Sequence, residues 1–80
     1  MSEVVETKYL RLEQRFVDRG NGSKKEIWAV RNKASNLLLG SIELYDGWKD
    51  FCFFPQGGTV FSAGCLKSIV EHLNKLREGD

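Results

Sequence analysis

The segment 37–54, LLLGSIELYDGWKDFCFF, constrains the fold more than any other stretch. Two β-prone runs meet at Asp46-Gly47. Asp-Gly between alternating apolar residues favours a two-residue type I′ turn, because both central positions need positive φ. Such a turn sets a register. Tyr45 faces Trp48, Leu44 faces Lys49, Glu43 faces Asp50, Ile42 faces Phe51 and Gly40 faces Phe53. Side chains then sort by alternation onto two faces.

The rest of the chain supplies partners for this hairpin. Residues 7–17, TKYLRLEQRFV, alternate, with Leu10, Leu12 and Phe16 on one side and Tyr9, Arg11, Glu13, Arg15 and Val17 on the other. Gln14 interrupts the apolar side. Asp18–Lys25 (DRGNGSKK) reads as a loop, and Glu26–Asn32 (EIWAVRN) as a second strand. Leu37–Tyr45 and Trp48–Phe54 are the third and fourth strands. Pro55 removes a ladder donor and ends the sheet. After it the period changes: Leu66, Ile69, Val70, Leu73 and Leu76 fall at helical spacing. The helix is expected over 62–77, with Ser62 or Thr59 as N-cap and Gly79 as its stop. Gly64 is expected to permit close approach to Phe53-Phe54-Pro55. The expected fold is α+β: an antiparallel four-stranded sheet in the order β-β-β-β-α, with one C-terminal helix on one face.

Eighty residues suffice for a single small domain over 1–80, with 1–6 as a frayed lead-in. A domain of this size buries roughly 60% of its unfolded surface, so it gains from association. The net charge of +1 gives no global field toward nucleic acid. No apolar run reaches the ~20 residues of a membrane span. MSEVVETK has no basic region followed by an apolar stretch, so no signal peptide is expected. Two cysteines without metal spacing suit a reducing compartment and free thiols. A cytoplasmic location follows.

On the hairpin register, Ile42, Leu44, Phe51 and Phe53 join Trp28, Val30, Leu10, Leu12 and Phe16 under the helix. The opposite face carries Tyr9, Arg11, Arg15, Ile27, Ala29, Arg31, Leu39, Glu43, Tyr45, Trp48, Asp50, Cys52 and Phe54, and no second helix is there to cover it. Glu43 opposite Asp50 is a like-charge pair that calls for a nearby cation from Arg11, Arg15 or Arg31. Tyr, Trp and Arg are the types enriched in interface hot spots. The candidate partner-binding residues are Tyr45, Trp48, Phe54, Arg11, Arg15 and Arg31.

Catalytic chemistry finds little support. Cys65 and His72 lie seven residues apart on the expected helix, about 10 Å, too far for a nucleophile–base contact. They read as helix-flank residues. One histidine and two separated cysteines do not assemble a zinc site. Gly57-Gly58 lacks the strand, glycine loop and lysine of a phosphate loop. No enzyme activity, metal or cofactor is expected. The expected function is a non-enzymatic module binding a protein, either a host protein or a second copy, through the open face. Aromatics interleaved with arginines make single-stranded nucleic acid the alternative ligand.

One longer pattern runs Trp48-x-x-Phe51-x-Phe53-Phe54-Pro55-x-x-Gly58-Thr59-Val60-Phe61-x-Ala63-x-Cys65-Leu66-x-x-Ile69. With Glu26–Lys33 and Leu39-Gly40-Ser41-Ile42, it resembles small phage- and prophage-encoded proteins of unassigned function, over about residues 26–73. The resemblance implies a viral or mobile-element origin and a host-cytoplasmic setting; it brings no catalytic residue with it. In strand order alone, the chain is also similar to the four-strands-then-helix domains of single-stranded-DNA-binding transcription coactivators.

Overall fold

In the computed structural model, which describes residues 2–20 and 22–78, five strands precede one helix. They are β1 (Val4–Glu6), β2 (Leu10–Asp18), β3 (Lys24–Asn32), β4 (Leu38–Tyr45), β5 (Asp50–Pro55) and α1 (Ala63–Glu78). The sheet is an antiparallel meander in the order β1-β2-β3-β4-β5. It therefore has five strands, not the expected four, and 4–6 are not a frayed lead-in. Val5 pairs with Leu12 and packs on the core. The turn into β2 is built by Thr7, whose N–H donates to Leu10 O and whose Oγ1 accepts from Leu10 N–H. Three residues are too few to show a period, and Thr7-Lys8-Tyr9 lacks the usual turn residues, so neither element is visible in the sequence.

The β4–β5 hairpin also differs from expectation. Its loop is Asp46–Lys49, four residues long: Tyr45 pairs with Asp50, Leu44 with Phe51, Glu43 with Cys52 and Ile42 with Phe53. Trp48 N–H donates to Tyr45 O, and the left-handed position falls on Lys49 (φ 52°) instead of Gly47. The register slides by two residues. A slide of two keeps every side chain on its expected face, whereas a slide of one would have exchanged the faces. Glu43 no longer opposes Asp50, and the like-charge pair disappears.

A bulge shifts one residue to the core. Val30 pairs with Gly40 but Arg31 with Leu38, leaving Leu39 as the extra residue of β4. Leu39 is only 5% exposed and joins Leu10, Leu12, Trp28, Val30, Ile42 and Ile69. It was expected on the open face; the bulge turns it inward. Gly40 lies beneath the Phe53 ring, where an added Cβ would come within 2.9 Å of two ring carbons and would strike the Phe54 carbonyl oxygen.

Ser62 is the N-cap of α1, its Oγ accepting from Cys65 N–H, while Thr59 donates to Gln56 O. The expected stop, Gly79, lies outside the described residues. The helix is rotated relative to expectation. Ile69 and His72 are buried and Cys65, Leu73 and Leu76 pack on the core, while Leu66 and Val70 are exposed. The inward positions 65, 69, 72 and 76, of which Ile69 and His72 are fully buried, follow a 4-3-4 spacing that a histidine at 72 disguises. Gly64 approaches Tyr9, not Phe53-Phe54-Pro55. The helix leaves one end of its sheet face uncovered, so Phe16 and Leu44, expected in the core, are largely exposed.

The outer edge of β5 is blunted. Gln56 N–H donates to Leu39 O, so the even-numbered residues of β5 bond to β4 and Phe51, Phe53 and Pro55 point outward. Asp50 Oδ1 takes the Phe51 N–H, and proline has none. Phe53 alone offers an outward N–H, a common way to discourage strand addition.

Candidate functional site

The face opposite α1 divides into two halves of different chemistry. Over β1, β2 and β3, and reaching Ser41 and Glu43 of β4, it is an ion-paired lattice. Arg11 and Arg31 stand directly opposite each other, and each takes a carboxylate. Arg11 Nε lies 3.1 Å from Glu6 Oε2, and Arg31 Nε lies 3.2 Å from Glu13 Oε1. Arg15 Nη2 reaches the same Glu13 oxygen at 3.1 Å. Burial pushes the Glu13 carboxyl upward, but hydrogen bonds from Arg31 and Arg15 outweigh it and hold the group below the usual range. Lys25 Nζ lies 2.8 Å from Glu43 Oε1, and Ser41 Oγ donates to Glu43 Oε2 at 2.9 Å. The Lys25 hydrogen bond, with help from Ser41, keeps Glu43 below its usual range against the effect of burial. The cation beside Glu43 is therefore Lys25, not an arginine.

Beyond Ser41 and Glu43, the β4–β5 part of the face is mainly apolar and aromatic. Tyr45 sits between two rings, edge-on to Trp48 at 5.2 Å and to Phe54 at 6.2 Å. Gly47 allows this: a Cβ there would fall 2.8 Å from the Tyr45 ring. The glycine of the Asp-Gly turn is thus needed for ring clearance, not for its φ. Trp48 remains 75% exposed on this support. Two clefts adjoin. One, about 340 Å³, is lined by Tyr45, Trp48, Cys52, Phe53 and Phe54. The other, about 260 Å³, runs over Ile27, Ala29, Leu38, Ser41 and Pro55, with Phe54 again as a wall.

The structure thus brings Tyr45, Trp48 and Phe54 together. Arg11, Arg15 and Arg31 share their face but belong to the ionic half. Tyr9, expected on the open face, precedes β2 and lies against Gly64 of α1. Sequence reasoning missed the second cleft, because Leu38 reaches the open face only through the bulge at Leu39.

His72 is not a helix-flank residue. It is 6% exposed, its ring stands edge-on to Trp28 at 4.3 Å, and its Nε2 has no hydrogen-bond partner. Burial, then the nearby Lys75, lowers its pKa, against opposing pulls from Glu3 and Glu26. Glu26 also accepts from the Trp28 indole N–H (2.7 Å) and from Gln14 Nε2 (3.2 Å), which provides for the polar interruption on β2. Cys52 and Cys65 are both free. Among the described residues, no three His, Cys, Asp or Glu side chains are grouped to hold a metal, and no helix is long and apolar enough to cross a membrane.

No protein-family model, curated protein or solved structure matches the chain.

Proposed function

We propose that this chain is a non-enzymatic protein-interaction module of the small phage or prophage type, working in the host cytoplasm. Its partner, a host protein or a second copy, docks on the aromatic half of the open sheet face. The observation that carries this is Trp48, 75% exposed and edge-on to the Tyr45 ring. An ordered aromatic loses little rotamer entropy on binding and brings a large contact area.

The nucleic-acid alternative loses support from the ion pairs. Phosphate binding needs free cations that release counterions. Arg11, Arg15, Arg31 and Lys25 are each held by Glu6, Glu13 or Glu43. These paired cations lie apart from the aromatics, whose own loop carries Lys49 beside Trp48, and the nucleic-acid reading is the less supported of the two.

The test is the double variant Tyr45→Ala/Trp48→Ala. Its circular dichroism should match wild type, and its association should be lost. Hot-spot losses of about 2 kcal/mol or more correspond to roughly 30-fold in Kd. Sedimentation and pull-down at low and high salt supply the readout, with wild-type association largely insensitive to salt. Wild type that stays monomeric and binds only single strands, releasing them steeply as salt rises, would reverse the reading.

A further inference from the structure

The two edges of the sheet are finished differently: β5 is blunted, whereas β1 is open. Gln14 N–H donates to Glu3 O, and Thr7 N–H donates to Leu10 O. Residues 3, 5 and 7 therefore bond to β2, and residues 4 and 6 turn their backbone groups outward. Val4 and Glu6 are exposed, and their N–H and C=O groups have no partner among the described residues. Such a row is a template for another strand. We propose that the strand it takes is β1 of a second copy, paired antiparallel about a two-fold axis at Val5.

The side chains select this register. The laddered stretch is residues 3–7, and Val5 is its centre. With the axis there, Val4 of each copy pairs with Glu6 of the other. These are the residues with outward groups, so each pair exchanges both hydrogen bonds. Val5 meets Val5 of the second copy as the non-bonded pair between them, with Cα atoms about 4.5 Å apart. Glu3 meets Thr7 of the second copy. No carboxylate stands opposite another, and Glu6 keeps Arg11 as its cation at 3.1 Å, with Lys33 at 4.0 Å. An axis at Glu6 would set two carboxylates against each other, which is destabilising. An axis at Val4 would leave Thr7 outside the ladder and put Glu3 where Val5 of the second copy stands. On the helix side, Val5 and Leu12 line a groove of about 400 Å³ with Thr7, Ser68, His72, Glu71 and Lys75. Val5 of the second copy extends the apolar part of that surface. Glu71 and Lys75 bring one charge of each sign, so the groove itself does not repel the added strand.

Closure favours a second copy over a foreign strand. Head-to-tail pairing of β1 with β5 of another copy would run on as a filament, but β5 is closed to it, because Phe53 alone offers an outward N–H there. Pairing β1 with β1 uses the one open edge of each copy, and growth stops at two. A chain of this size gains from association, and a bare edge invites unspecific strand addition. The axis runs through the sheet, so both helices lie on one side and both open faces on the other. β5 and the aromatic half then lie at the far ends of the joined sheet. The second copy is held at β1, which leaves the aromatic half to a host protein. The association lost in Tyr45→Ala/Trp48→Ala is that docking.

Amide hydrogen exchange and sedimentation of the whole chain, from low to high concentration, test this. Protection of the Val4 and Glu6 amides should rise with concentration, together with the dimer fraction. Protection of Phe53, the outward amide of β5, should not. A mixture of isotope-labelled and unlabelled protein should show an NMR contact between the Val5 Hα atoms of the two copies. Val4→Pro removes an outward donor and no bond within the sheet, and should weaken the dimer about tenfold or more. If that variant fails to fold, the exchange and the Val5 contact in wild type decide alone. Val4 and Glu6 amides that exchange freely at every concentration overturn the inference, and leave Trp48-dependent docking of a host protein, read by pull-down, as it was. Self-association kept by Val4→Pro and lost in Tyr45→Ala/Trp48→Ala also overturns it, and seats the second copy on the aromatic half. Protection of Val4 and Glu6 only after an unrelated extended peptide is added overturns it in favour of a foreign strand.

Discussion

The two tryptophans of this chain are used in opposite ways. Trp28 is 2% exposed, packed under α1 against His72, with its indole N–H on Glu26. Trp48 stands on a four-residue loop with no partner for its indole N–H among the described residues and one ring, Tyr45, behind it. Around Trp28 every neighbour exists to remove the ring from water. Around Trp48 the neighbours hold the ring in place and leave it in water. Composition cannot separate these roles. The difference arises because alternation puts residue 28 on the covered face and residue 48 beyond the end of a strand.

The sharpest way to break the comparison is to remove each ring in turn. Trp28→Ala empties the centre of the core and should cost about 3–5 kcal/mol, enough to unfold much of so small a domain. Trp48→Ala should stay within about 0.5 kcal/mol of wild type. Urea midpoints measure both. Equal losses would mean that Trp48 is a structural residue, and its exposure would no longer argue for a partner.

Gly40→Ala probes the contact between the two regions. The new Cβ meets the Phe54 carbonyl and comes within 2.9 Å of the Phe53 ring. Backbone cannot yield as a flexible side chain can, so a cost of about 1–3 kcal/mol is expected. The same displacement moves Phe54, the wall between the two clefts. Thermal unfolding together with the chemical shifts of Tyr45 and Trp48 would register both effects. A stable variant with unchanged shifts would mean that β5 is free to move away from β4.

The faces of the sheet were legible in the sequence because side chains alternate with period two and the hairpin slid by two. The slide itself was not legible: Gly47 suited a tight turn, but the need to clear the Tyr45 ring is a tertiary fact. Leu39 was hidden by a bulge, and β1 by its length. The helix stripe was misplaced because Leu66 and Val70 look like better core residues than His72, and only packing against Trp28 settles the rotation. Of the candidate site, the aromatics were legible from alternation alone. The role of the arginines was not, because it depends on the β2–β3 register and on a carboxylate from β1.

Acid should distinguish the two tryptophan environments. His72 is the single histidine of the chain, and burial followed by Lys75 depresses its folded pKa below 6.5, with Glu3 and Glu26 pulling the other way. Glu71 and Lys75 line the groove beside it. The unfolded chain then binds a proton that the folded one resists, so stability is full above about pH 6.5 and declines as pH falls toward the depressed folded value. Urea midpoints should fall between pH 7 and pH 5 in wild type and stay flatter in His72→Leu. Glu13 and Glu43 add their own losses below about pH 4.5, outside this window. Wild type and His72→Leu declining in parallel from pH 7 to pH 5 would show that the Trp28 pocket tolerates an imidazolium.

The effect most informative about function comes from the ionic half. Glu6→Gln, Glu13→Gln and Glu43→Gln together leave Arg11, Arg15, Lys25 and Arg31 without their carboxylates. Surface pairs contribute about 0.2–1 kcal/mol each, and Glu13 and Glu43 are half-buried, so the triple variant should lose stability measurably yet remain folded. What should change is the field. Four unpaired cations on a flat face attract phosphate, and a binder of that kind weakens steeply with salt. The triple variant should therefore acquire salt-sensitive affinity for single-stranded DNA that wild type lacks, measured by anisotropy of a labelled oligonucleotide. Its Trp48-dependent association should persist, because the Tyr45, Trp48 and Phe54 rings make no contact with the three carboxylates among the interactions described. Wild type binding the strand as tightly as the variant would mean that the ion pairs do not neutralise this surface, and the arginines would rejoin the aromatics as one site.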